Sequence, residues 1–316
     1  MTALARTIRS ADWIWGLLGS VVMWLLLGVF ARNLSLESLV ATSTTAAFLA
    51  IVALGQMVVI TTGRGAIDLS IPGVITLAAY LATGMSLGSN ARLLYVVPVA
   101  LAMGAGIGAL NAMAVLLLRI PPIIATLGMG YVVTTLILVY NPHYRSTYVA
   151  SLLTQVARDR LLGTIPAILL VAVVLVALFA WMFRFTRFGK SLTALGQNLE
   201  AARLAGIDVS RIQVIAYMMS GGLAAFGGIL ISARVGGAFL GLGDPYLLET
   251  VGSAVVGGTL IMGGRAVPVG TLFGSLFLVL LVTAMQVAGL RIGGQYVAEG
   301  ALIILVLFLA TRNGAR

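Results

Sequence analysis

Hydrophobic positions fall into ten long apolar segments that are separated by short polar stretches. Most segments approach the roughly 20 residues that an α-helix needs to cross a bilayer. They lie at approximately 13–31, 39–62, 71–88, 93–118, 122–141, 164–183, 212–233, 248–263, 267–289 and 296–311. The pattern predicts an all-α polytopic membrane protein of about ten transmembrane helices, with residues 1–316 forming one transmembrane domain.

Composition supports a membrane location. Hydrophobic residues make up 60% of the 316 residues and charged residues only 9%, whereas soluble domains carry about 25% charged residues. The net charge is +10, but the cations stand singly at the ends of apolar segments, which argues against a nucleic-acid partner. The chain has no cysteine, so disulfides, thiolate metal sites and cysteine nucleophiles are excluded.

The cations also predict the orientation of the chain. With the N-terminus inside, twelve cations fall on the inner side and seven on the outer side, which fits the positive-inside rule. The inner set is Arg6, Arg9, Arg64, Arg119, Arg184, Arg187, Lys190, Arg203, Arg211, Arg265, Arg312 and Arg316. Both termini are therefore expected in the cytoplasm.

Ten spans divide into two halves of five, and an odd number would give an internal repeat inverted topology. The sequence contains one slight echo, between Gly104-x-x-x-Gly108 and Gly270-x-x-x-Gly274. Glycines four residues apart are common where membrane helices pack. A five-plus-five inverted repeat and ordinary helix packing both remain open.

One long polar segment, residues 184–211, interrupts the apolar pattern and is expected in the cytoplasm. It holds five of the nineteen cations, including the sole lysine, Lys190. Residues 191–206 are predicted to form one short helix, with Gly206 as its C-cap. Glu200 and Arg203 can share a face of that helix.

The alanines of this helix, Ala201, Ala202 and Ala205, predict a small apolar face that another protein can cover. Asp208 and Ser210 are the alternative caps for the next helix. A solvated connector is the competing interpretation of the whole segment.

Several ordered stretches resemble the ribose-type sugar permeases of bacterial ABC importers. They are Gly55-Gln56-Met57-Val58-Val59-Ile60, Ile67-Asp68-Leu69-Ser70, Ala125-Thr126-Leu127-Gly128-Met129, Glu200-Ala201-Ala202-x-x-x-Gly206, Val255-Val256-Gly257-Gly258-Thr259 and Gly263-Gly264-Arg265. Their order and spacing hold from about residue 35 to the C-terminus.

The resemblance implies a multi-pass subunit of the bacterial inner membrane. It implies a second permease subunit in a homo- or heterodimer, a cytoplasmic ATPase and a periplasmic solute-binding protein. Glu200, Ala201, Ala202, Arg203 and Gly206 are then expected to couple the permease to the ATPase. The chain itself has no G-x-x-x-x-G-K-[ST] loop, so ATP and Mg²⁺ are expected on the ATPase and no cofactor on this chain.

Asp68 and Ser70 precede the third apolar segment. Ser70 is a candidate N-cap, with Pro72 in the first helical turn; Asp68 is the alternative cap or a partner for Arg64. The functional alternative for Asp68 and Ser70 is an inner gate, or a second contact near the ATPase.

A few polar side chains lie inside the apolar segments. A neutral sugar needs hydrogen-bond partners and no counter-charge, so amides suit its path. Asn111, Gln56 and Gln286 are the candidate path residues, while contacts between helices are the alternative role for each of them.

The predicted outer side carries its own candidates. Arg158 and Arg160 could receive the acidic rim of a binding protein, and His143, the only histidine, is read as a loop residue. Gly84-Met85-Ser86-Leu87-Gly88 matches the G-x-S-x-G pattern of serine nucleophiles, which keeps an intramembrane serine protease as a minor alternative. A secondary transporter of a small polar solute is the main alternative, although the chain offers few intramembrane acids for ion coupling.

Overall fold

A computed structural model describes residues 13–31, 35–140, 148–161 and 163–314. The chain is a helical bundle with thirteen helices in the part described. They are α1 (Ile14–Ala31), α2 (Leu36–Thr61), α3 (Ile71–Ser86), α4 (Leu93–Leu116), α5 (Pro122–Tyr140), α6 (Ser151–Arg158), α7 (Ala167–Phe185), α8 (Arg187–Gln197), α9 (Leu199–Leu204), α10 (Val209–Val235), α11 (Tyr246–Val256), α12 (Pro268–Val287) and α13 (Ile292–Gly314).

Six helices are long and apolar enough to cross a membrane: α2, α4, α5, α7, α10 and α12. Four further apolar helices, α1, α3, α11 and α13, coincide with the other predicted spans, but the apolar stretch described in each is shorter. The all-α prediction holds apart from one short antiparallel hairpin, β1 (Arg160–Leu161) and β2 (Ile165–Pro166).

Two predicted spans end early. Helix α3 has 16 residues and α11 has 11, so they are about 24 Å and 16 Å long at roughly 1.5 Å per residue. The predicted span 248–263 is wrong in its second half, because the helix ends at Val256 and irregular backbone follows the C-cap at Gly257. The hydrophobic core of a bilayer is about 30 Å thick, so neither helix alone is long enough to cross it.

Helix α2 is the centre of the bundle. Nearly all of its apolar window is buried, and α10, α11, α12 and α7 pack around it. Its first turn is capped by Ser35, whose hydroxyl accepts a hydrogen bond from the Ser38 amide at 3.1 Å. Buried residues of α2 belong to the two largest apolar clusters, so this helix joins both sides of the core.

Glycine lets α4 and α10 cross at backbone contact. A Cβ atom at Gly104 would collide with the Gly221 carbonyl, and one at Gly108 would collide with the Tyr217 carbonyl. Small residues of this kind permit close helix approach in lipid. Packing therefore accounts for the Gly104–Gly108 pair, and the inverted repeat stays a prediction.

We expect Gly104→Leu to destabilise the purified chain by about 1–3 kcal/mol or more, because overpacking must separate α4 from α10. Thermal unfolding in detergent measures the loss. Gly106→Leu on the same helix is the matched control, since nothing lies within 4 Å of a Cβ built there. Equal unfolding temperatures for the two variants would contradict the close crossing.

Candidate functional site

The polar segment 184–211 folds as two helices joined by a sharp break. The single helix predicted over 191–206 is wrong, because Asn198 adopts extended backbone with φ −157° between α8 and α9. The side-chain oxygen of Asn198 accepts a hydrogen bond from the Ala201 amide at 3.0 Å. Asparagine thus ends one helix and caps the next, as its short polar side chain favours.

Helix α9 ends in a Schellman motif. The Ile207 amide donates to the Ala202 carbonyl at 3.1 Å, and the Gly206 amide donates to the Arg203 carbonyl at 3.0 Å. Gly206 holds φ +78°, a conformation that residues with a side chain adopt at a cost. Its predicted C-cap role is confirmed, and the backbone conformation explains why glycine stands there.

The outward surface of α9 is largely exposed. Glu200 and Arg203 form an ion pair at 3.7 Å with side chains 70% and 63% exposed, so the predicted shared face is confirmed, although such a pair stabilises little in water. Ala201 is exposed whereas Ala202 is buried. The expected apolar face of three alanines is therefore wrong in part, because Ala202 packs inward.

Sequence reasoning missed Leu204. Its side chain is 89% exposed at the end of α9, next to a cavity of about 500 Å³ that Arg187, Gly206 and Arg211 help to line. A single leucine among polar residues gives no distinctive sequence signal. An apolar side chain on a rigid, capped helix is a suitable anchor for another protein.

Hydrogen bonds tie this surface to the bundle. The Gln197 side chain, at the end of α8, donates to the Gly264 carbonyl at 3.2 Å. The Gly264 amide donates to the carbonyl of Thr61, the last residue of α2, at 3.0 Å. Asp208 caps α10 by accepting from the Arg211 amide at 3.0 Å, which decides between the two predicted caps. The Gln197 side chain thus connects the α8–α9 pair to the end of α2 through Gly264.

A buried polar cluster surrounds Asp68, just beyond the C-terminal end of α2. Its carboxylate accepts hydrogen bonds from the Ser70 hydroxyl at 2.6 Å, the Ser70 amide at 3.0 Å and the Ser220 hydroxyl of α10 at 2.7 Å. Burial raises the pKa of the Asp68 carboxyl, while the bonds from Ser70 and Ser220 act in the opposite direction.

Two expectations for this segment are wrong. Ser70 occupies the N-cap position of α3, but its hydroxyl makes no cap bond because it donates to Asp68 instead. The ion pair of Asp68 with Arg64 does not form among the described residues. Four donors take the place of the cation, because the Asn111 amide also donates to the Asp68 carboxylate at 3.4 Å.

The cluster also contains two of the three predicted path residues. The Asn111 amide of α4 donates to the Ser70 hydroxyl at 2.8 Å, and the Gln56 carbonyl oxygen of α2 accepts from the Asp68 amide at 3.2 Å. Both side chains are fully buried. The structure thus joins the predicted gate pair and two predicted path residues in one cluster across α2, α3 and α4.

Three buried polar atoms at this cluster have no hydrogen-bond partner among the described residues: Gln56 Nε2, Asn111 Oδ1 and Tyr217 Oη. Such atoms are uncommon, and each costs about 1–3 kcal/mol when left unpaired. The cluster therefore has hydrogen-bonding capacity to spare.

The remaining candidates lie apart from this cluster. Gln286 lines a different cavity of about 200 Å³ together with Thr45 and Glu249. Ser86 is buried, and its hydroxyl has no partner among the described residues, so no base activates it there. His143 lies outside the described residues, and Arg158 donates to the Arg234 carbonyl at 3.0 Å.

The apolar multi-pass bundle, the capped helix pair on an exposed polar segment and the buried polar cluster fit a membrane permease subunit. A family model described as the branched-chain amino acid transport system permease component matches residues 38–311. The chain belongs to this family, and it is a permease subunit of an ABC importer.

Three curated relatives indicate the range of the family. The chain is 33% identical to the ribose import permease RbsC of Escherichia coli K12, over 84% of this chain and 82% of that protein. It is 30% identical to the autoinducer 2 import permease LsrC of Shigella flexneri, with 87% and 80% covered. It is 30% identical to the galactose/methyl galactoside permease MglC of Haemophilus influenzae, with 68% and 66% covered. No solved structure matches the chain.

We expect Ser220→Ala to destabilise the protein by about 1–3 kcal/mol, because it removes a hydrogen-bond donor from a buried carboxyl group. Ser232→Ala is the matched control: Ser232 is equally buried on α10, but its hydroxyl donates only to the Ile229 carbonyl of its own helix. Thermal unfolding of the purified variants gives the difference. A loss of stability no larger than that of Ser232→Ala would contradict a stabilising role for the hydrogen bond between Ser220 and Asp68.

Proposed function

We propose that this chain moves a neutral sugar or sugar-like polyol through a bacterial ABC importer of the inner membrane. Ten spans carry it across, with both termini in the cytoplasm. It works with a second permease subunit, a cytoplasmic ATPase and a solute-binding protein. The names of the relatives, which refer to ribose, autoinducer 2 and galactose, support a small polar solute.

The observation that carries the proposal is the exposed, doubly capped helix α9 and its connection to the bundle. Asn198 fixes its start and Gly206 its end, so an ATPase that grips Glu200, Arg203 and Leu204 moves a rigid body. Gln197 passes that movement through Gly264 to the inner end of α2. Rigid displacement of one element against a packed helix is an established way to switch between two states.

The same geometry supports the Asp68 cluster as the inner gate. Displacing α2 draws Gln56 away from the Asp68 amide, while α4 and α10 hold Asn111 and Ser220. The spare polar atoms of Gln56, Asn111 and Tyr217 then offer hydrogen bonds to water or to a passing hydroxyl group. A hydrogen-bonded seal without a counter-cation opens for a neutral solute more readily than an ion pair would.

The proposal is tested by reconstituting the chain in proteoliposomes with its ATPase and binding protein and measuring uptake of radiolabelled D-ribose, D-galactose and autoinducer 2. We expect uptake of at least one solute to require Mg·ATP and the ATPase. Uptake without the ATPase that collapses with the proton gradient would instead establish a secondary transporter.

We expect Gly206→Val to reduce solute uptake per ATP hydrolysed at least about tenfold, because a β-branched residue resists φ +78° and costs about 1–3 kcal/mol. Gly206→Asn is the matched control, since asparagine tolerates this conformation. Membrane level and ATPase activity are measured alongside uptake. Equal uptake by the valine and asparagine variants would refute the role of the α9 terminus.

Charge reversal tests the ion pair on the same helix. We expect Glu200→Lys to weaken stimulation of the ATPase by the permease, because it puts two cations on the surface offered to the partner. The double variant Glu200→Lys, Arg203→Glu restores the pair in reverse and separates local helix stability from recognition. Unchanged ATPase stimulation in Glu200→Lys would exclude Glu200 from the contact.

A further inference from the structure

A second polar region lies on α2, α11 and α12, away from the Asp68 cluster. It is a cavity of about 200 Å³ whose walls carry five side chains with hydrogen-bonding groups, and the remaining lining is apolar. The five are Thr45 of α2, Tyr246 and Glu249 of α11, and Thr283 and Gln286 of α12. Thr45 and Gln286 are exposed, so the cavity opens at the surface of the chain.

The hydrogen-bonding groups of this cavity are largely unused. The Glu249 carboxylate and the Gln286 amide form no side-chain hydrogen bond or ion pair with the residues that the structure describes. The Thr283 hydroxyl donates to the Val279 carbonyl of its own helix at 2.7 Å, which leaves its oxygen free to accept. The cavity thus presents carboxylate and hydroxyl acceptors together with amide donors.

This combination fits a polyhydroxy compound better than a cation. A calcium ion takes about 6–8 oxygen ligands, whereas one carboxylate faces this cavity, and no group of three metal-ligating side chains occurs in the described part of the chain. The volume is below the roughly 300–1,000 Å³ of pockets for drug-sized ligands. Each hydroxyl group of a sugar both donates and accepts, which matches a carboxylate beside an amide.

The cavity and the Asp68 cluster lie at different heights along α2. Thr45 and Gln56 are eleven residues apart on this helix, which separates them by about 16 Å at roughly 1.5 Å per residue. With the proposed orientation, the cavity lies in the outer half of the membrane and the cluster in the inner half. Along α2, the cluster therefore lies between the cavity and the proposed cytoplasmic end of the helix.

We propose that the cavity lined by Thr45, Tyr246, Glu249, Thr283 and Gln286 is a binding subsite for a monosaccharide or a polyol of similar size. The inference rests on the proposed function and deepens it, because it assigns a place where the solute pauses within the membrane before the inner seal opens.

The test compares two substitutions at one position in the complete transporter, reconstituted with its ATPase and binding protein. Radiolabelled D-ribose and D-galactose are the probes, and uptake is measured per ATP hydrolysed. We expect Glu249→Leu to lower this ratio about tenfold or more, because it removes the acceptor that orients the hydroxyl groups. We expect Glu249→Gln, which keeps an acceptor oxygen, to retain at least about one third of the wild-type ratio.

A second pair of variants distinguishes a loss of solute binding from a folding defect. Thr283→Val removes a hydroxyl from the cavity, and we expect it to reduce uptake per ATP at least about threefold. Thr135→Val is the matched control, because the Thr135 hydroxyl makes the same bond to its own helix, to Tyr131 at 2.9 Å, on an exposed face of α5. Wild-type ATPase stimulation in every variant shows that the transporter has assembled.

The outcomes separate this inference from the proposed function. If the wild type shows no ATP-dependent sugar uptake, the proposed function fails and the subsite fails with it. If the wild type transports sugar but Glu249→Leu and Thr283→Val transport equally well, the subsite alone is wrong. Equal loss in Glu249→Gln and Glu249→Leu, together with a dependence of wild-type uptake on Na⁺ or protons, would establish a cation site and overturn the polyol assignment.

Discussion

The structure depends on satisfying irregular backbone inside a membrane bundle. Residues 62–70 link α2 to α3 outside any helix, and Thr62, Asp68 and Ser70 are buried in the bundle. Buried backbone of this kind needs hydrogen-bond partners from the protein. Gln56 accepts from the Asp68 amide, Thr126 accepts from the Leu69 amide at 3.0 Å, and Asp68 accepts from the Ser70 amide. Side chains that suggested a sugar path thus first hold the fold together.

The same side chains both satisfy buried backbone and form the proposed gate. The polar atoms that satisfy residues 62–70 come from α2, α4, α5 and α10. A relative movement of any of these helices would therefore break hydrogen bonds at the cluster. Because α2 is also connected to the exposed helix pair through Gln197 and Gly264, the proposed coupling surface and the proposed gate share one helix.

The sequence predicted the all-α class and the positions of the apolar helices, because the length of an apolar segment and the polar residues that end it are local signals. Gly206 was predicted for the same reason, since a glycine directly after a helical segment is a local signal for a helix C-terminus. Prediction failed where tertiary contacts decide the result: Asn198 breaks the predicted helix, Ser70 leaves its capping role for Asp68, and the 248–263 span stops at Val256. Leu204 and the cavity at Glu249 were out of reach, because exposure and cavities follow only from packing.

The hydrogen bond between Asp68 and Ser220 joins residues 152 positions apart, and this has a consequence for biosynthesis. At about 5–20 residues per second, a ribosome needs roughly 8–30 s to make the partner after the carboxylate has emerged. During that interval the nascent chain carries the Asp68 carboxyl group without its hydrogen-bond partner Ser220. We therefore expect the insertion machinery to shelter residues 62–70 until α10 arrives, so that translation order becomes part of how this protein reaches its native state.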